Sequence, residues 1–427
     1  MFILYDLIFL LFTLICLPVY LLKGKFHQGF AQRAGILRGG DDLKRPIWVH
    51  AVSLGEAIAV AGLVEGLRKV YPAKKFVIST VTPTGNKIAR NLAKRGDLVT
   101  YLPLDFSFIV RRVINRINPG IFIIAETEIW PNLITCLHRK NIPIVTVNAR
   151  ISDNSFRGYS AIKPLISPIL NKVSLFCAQA DTDAVRLRQL GVAAEKIRVT
   201  GNMKFDIHDC ADLEKYRAEY RDKLGMGPGN RLLVAGSTHR GEEGTILAIY
   251  KKLLPKFPGL RLLLCPRHPE RAGEVEKIVS KSGFNALRIS RSNRPTGQPA
   301  NRPTIFILDT VGNLMNFYCA SDIVFVGGSL IKKGGHNILE PASCGKPVIF
   351  GPYMFNFRDI SRMFLEKNSA IMARTPEELE GGIRRLSEDT GFAAAMGERA
   401  AKLIAGNRGA ALRNIEAIKT MGALNGN

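Results

Sequence analysis

The chain has 427 residues, 46% of them hydrophobic and 22% charged, and a formal net charge of +24. That length exceeds one ordinary hydrophobic core, so two domains are expected, and the apolar content excludes a disordered or fibrous chain. The positive excess calls for an anionic partner surface, either nucleic acid or acidic lipid.

The N-terminus favours lipid. In MFILYDLIFLLFTLICLPVYLL the single charge is Asp6, and Leu7 to Leu22 carries none. As a helix this uncharged stretch spans about 24 Å at ~1.5 Å per residue, against ~30 Å for a hydrocarbon core. It either spans with the first residues included or lies shallowly in one leaflet. No Lys or Arg precedes it and no small-residue cleavage site follows, which argues against a signal peptide. Lys23, Lys25, Arg33 and Arg38 come after it and place the next domain on the cytoplasmic side. The expectation is a membrane anchor over residues 1–22, with much of the positive charge holding the body against anionic lipid headgroups.

From residue 46 short β-branched runs alternate with amphipathic stretches. PIWVHAV, KKFVIST, LVTYLP, GIFIIAE, IPIVTVNAR, LFCAQA and KIRVTGN read as strands, with helical patterns such as EAIAVAGLVEGLRKV between them. A charged stretch, DLEKYRAEYRDKLGMGPGN, ends in Gly-Pro-Gly turn chemistry, after which the alternation restarts with RLLVAGST, LRLLLCPR, TIFILDT, DIVFVGGS and KPVIFGP. The last hundred or so residues read as largely helical. This is the grammar of α/β doubly wound sheets: a Rossmann-like N-terminal domain over 23–205, a linker over 206–230 and a second Rossmann-like domain over 231–427. Ligands in such sheets bind beyond the carboxyl ends of the strands, so a cleft faced by both domains is the expected site. The seven cysteines form no C-x-x-C pair and mostly sit in apolar runs, which fits reduced thiols in a cytosolic compartment.

No G-x-G-x-x-G opens a helix after the first strand, and no G-x-x-x-x-G-K-[ST] occurs. Asp181 and Asp183 suit a helix start better than a metal site. Three groups in the first half stand at strand ends. Glu56 in HAVSLGE is either a dipole-complementing residue in a first helical turn or a base at the mouth of the sheet. Glu126 and Glu128 close an apolar strand in AETEIWPN, and Lys204 follows the last strand in TGNMKFD. A Glu126–Lys204 pair would be an ordinary structural arrangement, since a buried carboxylate needs a partner. In the second half, FVGGSLIKKGGHNILEP joins a strand end, paired glycines and a helix start. Glycines admit close backbone approach, a helix start offers free N–H groups to phosphate, and Glu340 suits a ribose diol. LLLCPRHPER adds Arg267 and His268 at another strand end, and a planar guanidinium suits phosphate.

Taken in order, HAVSLGE, TPTG, ETEIWPN, NARIS, GNMKFD, STHRGEE, PRHPER and FVGGSLIKKGGHNILEP resemble the 3-deoxy-D-manno-oct-2-ulosonic acid (Kdo) transferases of lipopolysaccharide synthesis. The resemblance runs from the anchor to about residue 360. It implies a two-domain GT-B glycosyltransferase, attached to the inner membrane, that moves Kdo from CMP-Kdo to a lipid A precursor (lipid IVA). It also implies Glu56 as the base, with Glu126 and Lys204 stabilising the transition state. CMP binding then falls to Arg267, His268, Val311, Gly312, Asn313, Asn337, Ile338, Leu339 and Glu340. Neither a metal ion nor another cofactor is expected. Asn313 stands where a Glu is common and Ile338 where a Pro is common. The rival readings are a GT-B transferase or epimerase using another nucleotide sugar, and a non-catalytic, basic, membrane-tethered binding protein. A nucleic-acid binder is disfavoured because the charge is dispersed and no recognition motif is present.

Overall fold

The computed structural model describes residues 5–11, 13–15, 29–40, 42–207, 213–291, 303–422 and 424. They divide into two compact units, one taking in the described residues up to Asp206 and from Asn407 onward, the other running from Ile207 to Gly406.

The first unit is built on seven parallel strands, β1 (Ile47–His50), β2 (Phe76–Thr80), β3 (Leu98–Tyr101), β4 (Ile121–Ala125), β5 (Ile144–Ala149), β6 (Leu175–Ala178) and β7 (Ile197–Val199), in the order β3-β2-β1-β4-β5-β6-β7. The apolar runs of the central strands follow from helices covering both faces of the sheet. Trp48 and Phe122 enter one buried cluster, while their neighbours Ile47, Val49, Ile121 and Ile123 enter the other. Side-chain alternation thus feeds two cores from one strand. Trp48 and Phe122 meet edge to face with centroids 4.7 Å apart, and the Trp48 indole N–H donates to Ser79 Oγ at 2.8 Å.

The second unit carries β8 (Arg231–Thr238), β9 (Leu260–Pro266), β10 (Asn285–Arg288), β11 (Thr304–Ile307), β12 (Ile323–Val326), β13 (Val348–Phe350) and β14 (Ala370–Met372), in the order β10-β11-β9-β8-β12-β13-β14. Its strands are also all parallel. In each unit the first strand lies inside the sheet and the order reverses beside it, between β1 and β4 and between β8 and β12. Connections from those neighbouring strands leave on opposite faces and open a crevice at their carboxyl ends.

Two boundaries differ from those expected. The charged stretch assigned to the linker contains a helix, Leu213–Lys223, that belongs to the second unit. Arg217 and Arg221 hold Asp322 at 2.7 and 2.9 Å, and the Tyr220 ring meets Phe317 edge to face at 4.8 Å. The C-terminal residues, expected in the second domain, belong to the first unit. Asp206 caps their helix, Ala410–Thr420, by accepting from the Gly409 and Ala411 N–H groups at 2.6 and 2.5 Å, and Ala410, Ile415 and Ile418 join the core beneath β1 and β2. Four of the cysteines, Cys136, Cys177, Cys265 and Cys344, are free and buried.

The expected anchor falls partly outside the described residues. Among those described, no helix is long and apolar enough to cross a membrane. Residues 5–11 and 13–15 are helical and docked on the first unit. Asp6 accepts from the Ser107 N–H at 3.1 Å, the Ser107 hydroxyl at 2.6 Å and Asn132 Nδ2 at 2.7 Å, while Phe9 meets Phe106 edge to face at 5.0 Å. Leu7, Ile8, Leu11, Leu14 and Ile15 stay exposed, as does the neighbouring Phe108.

Behind this contact, buried Asp105 accepts from the Asn132 and Leu133 N–H groups at 3.0 and 2.8 Å, capping helix Pro131–Arg139. Burial pushes its carboxyl up to about 7. Its contribution to stability is therefore fullest below the unfolded carboxylate range and declines as pH rises through 7. Asp105→Ala strands two N–H groups and should cost about 1–3 kcal/mol in a denaturant titration, with Asp105→Asn, which keeps an acceptor, costing less. An Ala variant as stable as wild type would remove this cap from the account.

Candidate functional site

In the first unit the chain leaves β1 through Ala51 and Val52 and enters helix Leu54–Ala59. Ser53 is the N-cap, its Oγ accepting from the Glu56 N–H at 3.4 Å. Glu56, three residues on, turns back: its Oε1 accepts from the Ser53 hydroxyl at 2.9 Å and its Oε2 from the Val52 N–H at 2.7 Å. The sequence is that of a capping box, S-x-x-E, although the carboxylate reaches the Val52 N–H and the Ser53 hydroxyl rather than the Ser53 N–H, and it does carry the structural role that a first-turn acid suggests. The same bonds fix it at the carboxyl end of β1. Burial and, after it, the negative charge of Glu126 hold its carboxyl above the usual glutamate range.

Glu126 directly follows β4, the strand across the reversal point from β1. Its φ is +57°, a left-handed conformation uncommon outside glycine and asparagine, and its N–H donates to Val147 O at 2.9 Å. Such a backbone persists only where its surroundings enforce it. Lys204 Nζ stands 3.4 Å from Glu126 Oε1, with both side chains about three-quarters buried. The lysine sits in the short turn Met203–Phe205, held by Asn202 Oδ1, which accepts from its N–H at 2.9 Å, and by Asn148 Oδ1, which accepts from the Met203 N–H at 2.9 Å. Glu128 is a third carboxylate in this group. Burial, and then the charge of Glu56, push it up to about 7. Three acids and one lysine thus gather at the reversal point of the first sheet.

Asp181 and Asp183 both fall in the first turn of helix Asp181–Gln189, and Asp183 Oδ1 accepts from the Ile151 N–H at 2.9 Å. That bond accounts for Asp183 without a metal.

In the second unit the residues expected to bind nucleotide lie on loops after β9, β11 and β12 and in the first turn of helix Leu339–Ser343. Arg267 and His268 are exposed directly after β9, with the Arg267 N–H donating to Thr238 O at 2.9 Å. Val311 and Gly312 are exposed, Gly312 at φ +93°. Asn313 Oδ1 accepts from the Tyr220 hydroxyl at 3.4 Å and its Nδ2 donates to Thr310 Oγ1 at 3.1 Å, so its side chain is engaged in the fold. The side chains of Ile338 and Leu339 are fully buried, which leaves only their backbone for a ligand. Asn337 Oδ1 accepts from the Leu339 N–H at 3.0 Å, and Asn337 Nδ2 donates to Glu340 Oε1 at 3.1 Å.

Two features of the glycine-rich segment differ from expectation. The helix it opens, Leu339–Ser343, is only five residues long, and one of its leading N–H groups is already taken by Asn337. Gly334 and Gly335, at φ +95° and +71°, make room for neighbouring protein: a Cβ there would lie 2.5 Å from the Phe355 ring and 2.2 Å from Met354 Sδ. The loop N–H groups of Gly328, Ser329 and Leu330 are likewise occupied, by the buried carboxylate of Glu242 at 2.8, 3.1 and 3.0 Å. Glu242 was missed as a site residue because its partners lie 86 to 88 positions away. Its visible signal was the acidic pair after STHRG. His239 and His336, on segments with no local cue to one another, also meet: their rings lie nearly coplanar and head to head, with Nε2 atoms 2.8 Å apart.

Residues 28–207 match a family described as 3-Deoxy-D-manno-octulosonic-acid transferase (kdotransferase), and residues 300–403 match glycosyl transferases group 1. A 3-deoxy-D-manno-octulosonic acid transferase of Haemophilus influenzae is 38% identical over 420 residues, covering 95% of this chain and 96% of that protein. One from Bordetella pertussis is 30% identical over 393 residues, covering 91% and 90%. Among solved structures, a UDP-N-acetylglucosamine 2-epimerase from Listeria monocytogenes, described as putative, superposes with a TM-score of 0.57 at 15% identity, covering 88% of this chain and 96% of that one. At that identity the likeness speaks for the fold, two parallel-sheet α/β domains of the GT-B kind. With its reversal-point carboxylates and its full-length relatives, the chain belongs to the 3-deoxy-D-manno-octulosonic acid transferases, a family of glycosyltransferases.

Proposed function

We propose that this glycosyltransferase moves Kdo from CMP-Kdo to a lipid A precursor, lipid IVA, with inversion, and that Glu56 is its general base. The observation that carries this reading is the carboxylate group at the β1/β4 reversal point, where a fixed, desolvated Glu56 stands beside Glu126, Glu128 and Lys204. A sugar hydroxyl is a weak nucleophile, and a carboxylate with a raised pKa takes its proton better than an ordinary one. As the bond from the ketose carbon to the phosphate oxygen lengthens, positive charge builds on the sugar, and Glu126 offsets it. Lys204, paired with Glu126, engages the donor's carboxylate or phosphate.

In the second unit Arg267, His268, Val311, Gly312, Asn313, Asn337, Ile338, Leu339 and Glu340 serve CMP. Arg267 meets the phosphate, Glu340 the ribose, and Val311, Gly312, Ile338 and Leu339 contribute backbone groups. Asn313, whose side chain is bound to Tyr220 and Thr310, shapes the loop. No step in this scheme requires a divalent ion.

We also place the protein on the cytoplasmic face of the inner membrane. The exposed apolar side chains of Leu7, Ile8, Leu11, Leu14, Ile15 and Phe108 support a shallow seat in one leaflet, with Asp6 tying that helix to the first unit. The net charge of +24 favours anionic lipids around it.

Glutamine occupies the same capping-box position as glutamate, so Glu56→Gln should fold normally. Transfer of Kdo to lipid IVA, followed by mass spectrometry, should fall roughly 10²–10⁴-fold if the carboxylate is the base. Wild-type activity should decline toward low pH as Glu56 protonates above the usual glutamate range, and the variant should lack that limb. Near-normal transfer by folded Glu56→Gln would return the residue to a purely structural role. Arg267→Ala and Glu340→Ala should each weaken CMP binding in calorimetry while leaving binding of lipid IVA close to wild type. Unchanged CMP affinity in both would remove the nucleotide assignment from the second unit.

A further inference from the structure

His239 follows β8 and His336 lies on the loop after β12, so the two imidazoles come from the two sides of the reversal point of the second sheet. Their rings are nearly parallel, 8° apart with centroids at 5.1 Å, and the Nε2 atoms are 2.8 Å apart. At that distance one Nε2 donates and the other accepts, so the pair holds one proton between them. Protonating either ring once keeps this bond, whereas protonating both sets two N–H groups against each other. The pair therefore has two accessible charge states, neutral and singly positive. Gly328 lies against it: a Cβ there would stand 2.9 Å from the His336 ring and 3.5 Å from that of His239, so any side chain at this position would press on the pair.

The charged groups around the pair are mostly cationic. Arg267 comes from the β9 loop, Arg271 from the turn beyond it and Lys333 from the β12 loop, while the titratable His268, next to Arg267, has Glu270 Oε1 3.6 Å from its Nδ1. Arg271 is matched by Glu243 and Glu274 at 2.9 and 3.2 Å, and Arg240 by Glu274 at 2.9 Å. Glu242, the nearest buried acid, is consumed by four backbone N–H groups, those of His239, Gly328, Ser329 and Leu330. Glu340, the second residue of the helix that follows, is bound by Asn337. Arg267 and Lys333 thus remain as positive charge facing the imidazoles. Burial first and these neighbours second hold both histidines below the usual range, His336 down to about 4, so the pair is neutral when the site is empty.

A nucleotide phosphate reverses that balance. CMP carries two negative charges on its phosphate at neutral pH, and a dianion beside Arg267 cancels the positive potential that keeps the pair unprotonated. We propose that His239 and His336 form a one-proton store that fills when the nucleotide phosphate docks, so that the donor site takes up a proton on binding CMP and returns it to solvent when CMP leaves. This rests on the second unit being the CMP site. The two histidines act as positioning residues: the added positive charge is held at the sheet's reversal point, where the phosphate ester oxygen of the donor gains charge as the sugar departs.

Calorimetry of the full chain with CMP, in two buffers of different ionisation enthalpy near neutral pH, counts the protons exchanged. Wild type should take up as much as about one proton per CMP bound. The double variant His239→Gln/His336→Gln keeps an amide near each Nε2 and cannot titrate, so it should bind CMP with no uptake. Uptake that persists in the double variant, or CMP binding by wild type without uptake, would overturn the proposal. Failure of wild type to bind CMP at all would instead overturn the donor-site reading. Should the double variant not fold, wild type alone decides: its affinity for CMP should tighten as pH falls from about 8.5 to 7, where CMP itself stays mostly dianionic, and a flat profile would contradict a proton store.

Discussion

A parallel sheet whose first strand lies in its interior must send the following connections to opposite faces, and the chain therefore opens beside that strand. Both units obey this constraint, and the chemistry of each collects at the opening. In the first, β1 delivers Glu56 and β4 delivers Glu126. In the second, β8 delivers His239 and β12 delivers His336. The order of strands brings together side chains that are 70 and 97 residues apart, without any local motif joining them.

Glu56 shows how a structural and a chemical role coexist in one residue. Its carboxylate accepts from the Val52 N–H and the Ser53 hydroxyl, which fixes its rotamer and the start of its helix. Those two bonds stabilise the ionised form, yet burial and the nearby charge of Glu126 outweigh them and raise the pKa. A base that is immobile and only partly solvated needs little reorganisation when it receives a proton. Lys204 limits the repulsion among the three acids by pairing with Glu126, and the left-handed backbone of Glu126 marks strain at that spot.

Much of this was legible in the sequence because parallel strands buried on both faces read as unbroken apolar runs. The interior strands of both units stand out in this way, whereas the edge strands β3 and β7, reading LVTY and IRV and less buried, are marked by their β-branched residues instead. β10, reading NALR, is bounded by polar residues at both ends, and β14, reading AIM, has a single β-branched residue, so neither announces a strand. The helix Leu213–Lys223 was hidden by its charge: Arg217 and Arg221 find their partner at Asp322, about a hundred positions on, and no local pattern reveals it. The return of the C-terminal helix to the first unit depends in the same way on Asp206 meeting Gly409 and Ala411. Candidate acids were found because a carboxylate at the end of an apolar strand is conspicuous. Glu242 and the histidine pair were not, since their partners are remote backbone groups and a remote ring. The paired glycines were noticed for a ligand's sake, and in the fold they admit Met354 and Phe355.

The central claim is that Glu56 is a desolvated carboxylate poised as a base at the β1/β4 opening. Carbon-13 titration of its side-chain carboxyl by nuclear magnetic resonance, in wild type and in Glu126→Gln, tests it most directly. The account predicts a midpoint above about 4.3, the unperturbed glutamate value, that moves down when the Glu126 charge is removed. A midpoint at or below that value in wild type, unaffected by Glu126→Gln, would contradict it and leave Glu56 as a helix cap alone.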